Sequence, residues 1–444
     1  MSEESKTTFF YPLPENREAD NPKKRVNNPD IKTILKHSGL FILTYISVSL
    51  VSTFLVGTPA EGVLWGILPA FSEESLLRGV TFATLLLTFL TFHEFGHYFA
   101  AVYHGVKVSL PYYIPVPLGI GTLGAVIRIR EQIHETKKLF DIGAAGPIAG
   151  FIVSILLLLI GFSTLPEPEF LNKFGDHNYM VEHFYEHGEY PEDPQVGENQ
   201  MVLFFGGTPL YNFLASFFAD APPLWEIQHY PFLLAGWFGL FFTALNLMPV
   251  GQLDGGHILY SLIGYEKHKI VARVFFTGIT ILAGIEAVPL IHQQVISFDN
   301  NFGLLSWLIW TAILFLILQK AFKREQLWVA TALPFSIISS GVYLYLITGD
   351  NTPDSSLIWV FWTVFIAFIV KVEHPPVLIE RPLTPARKVI GWLSMLIFVL
   401  CISLNPLSFK NFINEENPTP TIDSSYSMGM LTEPANTGKP LHSN

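Results

Sequence analysis

Long apolar runs alternate with polar connectors along most of this chain. A bilayer takes about 20 apolar residues in a helix, and runs of about that length lie at 38–57, 77–101, 142–163, 231–250, 270–292, 303–321, 327–348, 357–372 and 386–404. The eighth run is short, and the fourth ends in a break rich in proline and glycine. The pattern therefore predicts an all-α polytopic membrane protein with about 8–9 transmembrane helices.

The polar segments divide this chain into parts. Residues 1–37 are polar, with no apolar core typical of a signal peptide, so they predict a solvated N-terminal arm. The predicted membrane core is 38–275, with an acidic connector at 164–230, and accessory transmembrane helices are predicted at 276–404. Residues 405–444 are rich in Ser, Thr, Pro and Asn, a composition that predicts a disordered tail.

Basic residues sort to one side of the predicted spans. If the N-terminus is inside, only Arg78, Lys173, Lys410 and Lys439 fall outside, and this bias predicts a cytoplasmic N-terminus. We therefore expect a multi-pass protein of the cell (inner) membrane, with 164–230 and the tail outside. The acidic residues of 164–230 account for much of the net charge of -11, so the charge indicates no basic partner and no nucleic acid.

Composition restricts both the class of protein and the kinds of site that it can contain. Half of the residues are hydrophobic, which is typical of a protein embedded in a lipid bilayer. The single cysteine, Cys401, lies in an apolar run and excludes both disulfides within the chain and cysteine-based zinc sites.

The second apolar run contains the motif His93-Glu94-Phe95-Gly96-His97. Each charged group at the centre of a membrane helix costs about 2.5–3.5 kcal/mol, so the motif needs compensation, which a metal ion supplies. Residues at i and i+4 share one helix face, so His93 and His97 can meet one ion. Glu94 points away and remains free to activate a water molecule. The alternative is a chance match with ordinary core histidines.

A third ligand is expected near the end of the fourth run. Pro249 breaks that helix, and Asp254 follows with Gly255 and Gly256, which allow a close backbone approach. Asn246 is suited to orienting Asp254 or to donating to an oxyanion. The second and fourth runs both cross from outside to inside, so the two motifs should reach the same membrane depth.

Other histidines of the chain indicate metal binding less strongly. His257 lies one turn after Asp254 and is either a fourth ligand or, as we favour, a residue at the start of a helix. His177, His183 and His187 lie in the acidic outer connector; they either form a second metal site or, as we favour, belong to a solvated face.

Residues 107–130 contain short apolar stretches between prolines and glycines, which predict strands and turns near the inner face. We expect a small β-hairpin there whose edge pairs with an unwound substrate strand. The alternative is an inner-surface loop with no role in substrate binding.

Together, HEFGH in one span and Asn246-x-x-Pro249-x-x-x-x-Asp254-Gly255 in a later one resemble the site-2 protease family of intramembrane zinc metalloproteases. Segments 124–128 and 141–150 are similar to parts of bacterial and plastid-type members, and the resemblance covers about 76–275. It implies that His93, His97 and Asp254 hold one Zn²⁺ per chain, that Glu94 is the general base and acid, and that Asn246 assists.

The resemblance also implies regulated proteolysis of single-span membrane-protein substrates within the bilayer. Many bacterial members carry a PDZ domain in the outer connector, but 164–230 does not read as one, so substrate filtering must differ. Two other classes stay open: a transporter or channel with an intramembrane ion site, and a catalytically silent scaffold of the same family. The sequence predicts neither the substrate nor the oligomeric state.

Overall fold

The structure is a computed structural model that describes residues 29–57, 62–64, 68–175, 177–194, 200–298, 303–348 and 356–412. Helices occupy the predicted apolar runs: α1 Ile31–Val56, α2 Glu73–Tyr103, α3 Thr136–Ser163, α6 Pro231–Leu247, α8 Tyr265–Ile296, α9 Leu305–Ala321, α10 Gln326–Tyr343, α11 Ile358–Phe365 and α12 Pro385–Cys401. Within these residues, five helices are long and apolar enough to cross a membrane. The predicted class, a helical membrane protein with a small hairpin, is confirmed.

Shorter elements connect these helices. The connector between α3 and α6 contains α4 Asn178–His187 and α5 Pro209–Ala215, together with 3₁₀ turns at Pro168–Phe174 and Ile227–His229. Helix α7 Asp254–Ile263 follows α6 directly, and π-helical turns extend α10 through Leu344–Thr348 and α11 through Ile366–Val370.

Six strands form three antiparallel pairs in the described part of the chain. Strands β1 Gly62–Leu64 and β2 Leu68–Ala70 follow α1, and β3 Tyr112–Pro115 pairs with β4 Thr122–Val126 within the segment predicted to form a hairpin. Strands β5 Gln200–Phe205 and β6 Leu407–Phe412 pair over their whole length.

Helix α2 lies at the centre of the membrane core, packed against α1, α3 and α6. Small residues let α2 and α3 approach closely, as at membrane helix interfaces in general. A Cβ on Gly96 would lie 2.9 Å from the carbonyl carbon of Ala145. This close approach places the HEFGH motif against the N-terminal half of α3.

The helix and strand limits differ from the predicted boundaries at three places. The arm does not extend to residue 37, because Asp30 accepts a hydrogen bond from the Thr33 amide (3.0 Å) and α1 begins at Ile31. Helix α8 runs unbroken across the boundary between 275 and 276. The tail predicted to be disordered from 405 contains β6, since the edge of β5 supplies its hydrogen-bonding partners. The other predictions for 1–28 and 413–444 concern residues outside the described ranges.

Candidate metal centre

The structure brings His93, His97 and Asp254 together at the centre of the membrane core. The two imidazole Nε2 atoms are 3.2 Å apart, and Asp254 Oδ2 lies 3.6 Å from His93 Nε2 and 3.2 Å from His97 Nε2. Ligand atoms on a tetrahedral zinc, about 2.0–2.1 Å from the ion, are about 3.3–3.4 Å apart. The three side chains therefore have the spacing of one face of a zinc coordination tetrahedron.

Helix α3 makes room for the imidazoles. Gly146 lies directly against the ring of His97, and a Cβ added there would collide with its Nε2, Cδ2 and Cε1 atoms. A Cβ on Gly150 would meet His93 Nδ1 at 3.2 Å. Any larger residue at 146 would push His97 away from its partners. This role of Gly146 was not predicted, and the only sequence signal for it is the i, i+4 spacing from Gly150, which places both glycines on one helix face.

The orientation of His97 is fixed by a backbone group. Its Nδ1 lies 2.7 Å from the carbonyl oxygen of Ile142, and both groups are buried. A carbonyl oxygen only accepts, so Nδ1 donates and the Nε2 lone pair points toward Asp254. Such a hydrogen bond to the far ring nitrogen is the usual way in which a metal-ligating histidine is oriented.

Asp254 reaches the cluster because the chain turns sharply after α6. The helix ends at Leu247, and α7 begins at Asp254 itself. A Cβ on Gly256 would lie 2.6 Å from the carbonyl oxygen of Val250, so only glycine allows the turn to pack this tightly. The turn is also held from outside, since the amide of Gly251 donates to the carbonyl of Val372 at 2.8 Å.

Glu94 is buried on a different face of α2 from the two histidines and lies close to the backbone of Ile127, just after β4. It lines a cavity of about 450 Å³ together with Asn246, Asp254 and residues of β4. Asn246 is half-buried on this wall. A carboxylate and an amide thus face the same space as the three candidate ligands, and their catalytic roles stay predictions.

His257 does not join the three-residue cluster. Its Nδ1 lies 2.8 Å from Nε2 of His374, a residue of the connector between α11 and α12 that the sequence analysis did not single out. Burial lowers the pKa of His374 to about 4, so its ring is neutral near pH 7 and forms a neutral hydrogen bond with His257. The favoured reading of His257, a residue at the start of a helix, agrees with this geometry.

In the connector 164–230, we expected the histidines to lie on a solvated face. This prediction is correct for His187, which is exposed, and wrong for His177. His177 Nε2 lies 3.2 Å from the buried carboxylate of Glu226, and His229 lies on the other side of that carboxylate. The prediction failed because Glu226 is 49 residues away from His177 in sequence.

The fold and site define a helical membrane protein with a buried His-His-Asp cluster of metal-binding geometry, beside a glutamate and an apolar-walled cavity. Residues 81–285 match the model of peptidase family M50. This match, over slightly less than half of the chain, confirms the resemblance to the site-2 protease family found in its motifs.

Curated relatives agree with this assignment. The chain is 30% identical over 210 residues to "Probable zinc metalloprotease EGY1, chloroplastic" of Arabidopsis thaliana. The aligned region is 46% of this chain and 34% of that protein. It is 30% identical over 223 residues to "Probable zinc metalloprotease EGY2, chloroplastic" of Oryza sativa subsp. indica, 50% of this chain and 36% of that protein. The chain thus spans about a third of the length of these relatives. No solved structure matches it.

Proposed function

We propose that this chain is an intramembrane zinc metalloprotease that hydrolyses peptide bonds within transmembrane segments of membrane proteins. The observation that carries the proposal is the triangle of His93, His97 and Asp254, with edges of 3.2–3.6 Å, inside a bundle of apolar helices. Two imidazole nitrogens and one carboxylate form a donor set that suits Zn²⁺ and leaves one position for water or substrate. The names of the relatives above include the same metal.

In this mechanism, a bound zinc ion would polarise the scissile carbonyl and make a water molecule more acidic. Glu94 takes the proton of the attacking water and passes it to the nitrogen of the leaving amine. The Asn246 amide donates a hydrogen bond to the oxyanion that develops on the scissile carbonyl. The surrounding helices exclude bulk water, which strengthens both interactions.

Substrate binding is assigned to the exposed edge of the hairpin. Among the described strands, β4 pairs with β3 alone, and its residues Leu123, Ala125 and Val126 line the cavity that also contains Glu94. The Leu123 side chain is 73% exposed. An unwound substrate segment that paired with β4 would recover its backbone hydrogen bonds and lie beside the candidate metal centre.

We propose the substrates from the cavity and its strand edge, and the location from the distribution of charge. The proposed substrates are single-span membrane proteins, because the cavity opens within the helical bundle beside a free strand edge. The distribution of basic residues favours a cytoplasmic N-terminus in a multi-pass protein of the cell (inner) membrane. A membrane location itself agrees with the apolar helices of the structure.

The mechanism is tested with Glu94→Gln. This substitution removes the base while keeping side-chain size, and general base catalysis contributes about 10²–10⁴ in rate. Membranes from cells with Glu94→Gln should accumulate uncleaved single-span proteins relative to wild type, in quantitative membrane proteomics, while purified protein retains its zinc. Glu73→Gln, an exposed position on the same helix, is the matched control. Equal cleavage by Glu94→Gln and wild type would refute the proposal.

The hairpin assignment is tested with Leu123→Pro, which removes a backbone N–H from β4. Leu123→Ala is the matched control, because it shortens the same side chain but keeps the N–H. We expect Leu123→Pro to lose substrate cleavage and Leu123→Ala to retain it, with both variants eluting as wild type in size-exclusion chromatography. Unchanged cleavage by a folded Leu123→Pro would discard the β-pairing model.

A further inference from the structure

A second cluster of metal-ligand side chains lies on the outer side of the bundle, and the proposed protease activity does not use it. His177 Nε2 is 3.2 Å from Glu226 Oε1, and His229 Nε2 is 3.2 Å from Glu226 Oε2. One ligand atom from each of the three residues can be chosen so that all lie within 4.8 Å of one another. Glu226 and His229 are only 4% and 8% exposed.

Two distant segments of the outer connector meet at this cluster. His177 immediately precedes α4, whereas Glu226 precedes the 3₁₀ turn that leads into α6 and His229 is its last residue. The ring of Phe174 stacks on His229 with centroids 3.9 Å apart, which covers one face of the imidazole. The cluster is therefore a built, mostly enclosed site.

The nearest cation does not neutralise the Glu226 carboxylate. Arg78 donates to the backbone carbonyl of His229 at 3.1 Å and pairs with Glu74 at 3.3 Å. Its guanidinium also lies over the rings of Phe170 and Phe174. Glu226 Oε2 has no hydrogen-bond partner in the described part of the chain, although His229 Nε2 is only 3.2 Å away. Buried carboxylates in proteins are usually paired with a cation or bound to a metal ion.

We propose that His177, Glu226 and His229 bind a second zinc ion on the outer side of the membrane. The two contacts of 3.2 Å end on different oxygens of the Glu226 carboxylate, so the imidazoles flank it, and one ligand atom from each residue lies within 4.8 Å of the others. A tetrahedral zinc bound among them would draw these ligand atoms to about 3.3–3.4 Å of one another. Two imidazoles with one carboxylate suit zinc better than calcium or magnesium, which prefer oxygen ligands. The fourth position would be filled by water.

This site is separate from the candidate metal centre. Arg78, beside the outer cluster, and His93 are on the same helix, and at 1.5 Å per residue they are about 22 Å apart along its axis. Each ion can therefore be removed without touching the ligands of the other. The outer ion would tie the start of α4 to the turn before α6, and so stabilise the fold of the outer connector.

The first test is the zinc content of the purified full-length protein, equilibrated with ZnCl₂ and then freed of loosely bound metal. We expect two zinc ions per chain for wild type and for the control His187→Ala, an exposed histidine of the same connector. Glu226→Gln and, separately, His177→Ala should each contain one. The double variant His93→Ala, His97→Ala should also contain one, which separates this site from the membrane centre. One zinc ion in wild type, unchanged by Glu226→Gln, would overturn the proposal.

A second measurement does not depend on counting ions. A protease that cleaves after glutamate should attack α4, which contains Glu182 and Glu186. At a free zinc concentration 100 times the dissociation constant, cleavage through local opening should slow about 100-fold. This protection should be absent in Glu226→Gln and His177→Ala. Equal cleavage of wild type with and without zinc would refute a structural role for the ion.

Discussion

Replacing Gly146 with alanine tests how the candidate metal centre is built. The added methyl group would collide with three atoms of the His97 ring, closer than real Cβ atoms approach their neighbours. His97 cannot simply swing aside, because its Nδ1 donates to the carbonyl of Ile142 at 2.7 Å. Either this hydrogen bond breaks or α2 and α3 move apart, and both outcomes displace Nε2 from Asp254.

The magnitude follows from packing energetics. Insertion of one methyl group into a well-packed core costs about 1–3 kcal/mol. Ligand distances in metal sites tolerate only about 0.2 Å, so we expect the cost to appear in metal binding. At about 1.4 kcal/mol per tenfold change, zinc affinity should fall about 5- to 150-fold. Gly150→Ala should have a smaller effect, since its Cβ would meet His93 Nδ1 at 3.2 Å.

The assay is competition for zinc between the protein in detergent and a fluorescent chelator. His177→Ala serves as the background, so that the proposed outer site does not contribute to the signal. Gly278→Ala is the matched control, because it lies within α8 and a Cβ there meets nothing within 4 Å. If Gly146→Ala and Gly278→Ala bound zinc with equal affinity, the proposed steric role of Gly146 would be wrong.

Two further predictions concern other parts of the bundle. Hydrogen bonds from Arg273 and Lys269 lower the pKa of Glu325, in the turn before α10, to about 2. The ionised Glu325 carboxylate should stabilise the fold fully above about pH 4.5, and this stabilisation should be lost as the pH falls toward 2. Glu325→Gln should therefore reduce the pH dependence of the thermal unfolding temperature over that range. An unchanged pH dependence would count against this ion cluster. Cys401 is fully buried, so a maleimide should label it only after denaturation, and rapid labelling of the native protein would show that α12 does not pack as described.

The sequence predicted the helices and the candidate centre because lipid imposes strict local rules. A span must be a continuous apolar run, and a histidine pair at i and i+4 must share a helix face, so His93 and His97 carry their geometry within five residues. The position of Asp254 could be predicted for a related reason. The second and fourth spans run in the same direction, so residues near their ends lie at the same membrane depth. Nothing comparable marks Glu226 or His374, whose partners His177 and His257 lie 49 and 117 residues away in sequence. Strand β6 was missed likewise, since its partner β5 precedes it by about 200 residues.

The helices after residue 275 are more closely tied to the candidate centre than an accessory role implies. The connector after α11 contacts both the turn before Asp254 and helix α7: the Val372 carbonyl accepts from the Gly251 amide at 2.8 Å, and His374 pairs with His257 of α7. Gly251 has a positive φ of 52°, and a Cβ there would collide with the Lys371 carbonyl. This turn is irregular backbone at membrane depth, which is tolerated only where protein or a water-lined cavity covers it. The later helices supply part of that cover, so the position of Asp254 depends on residues more than 100 positions further along the chain.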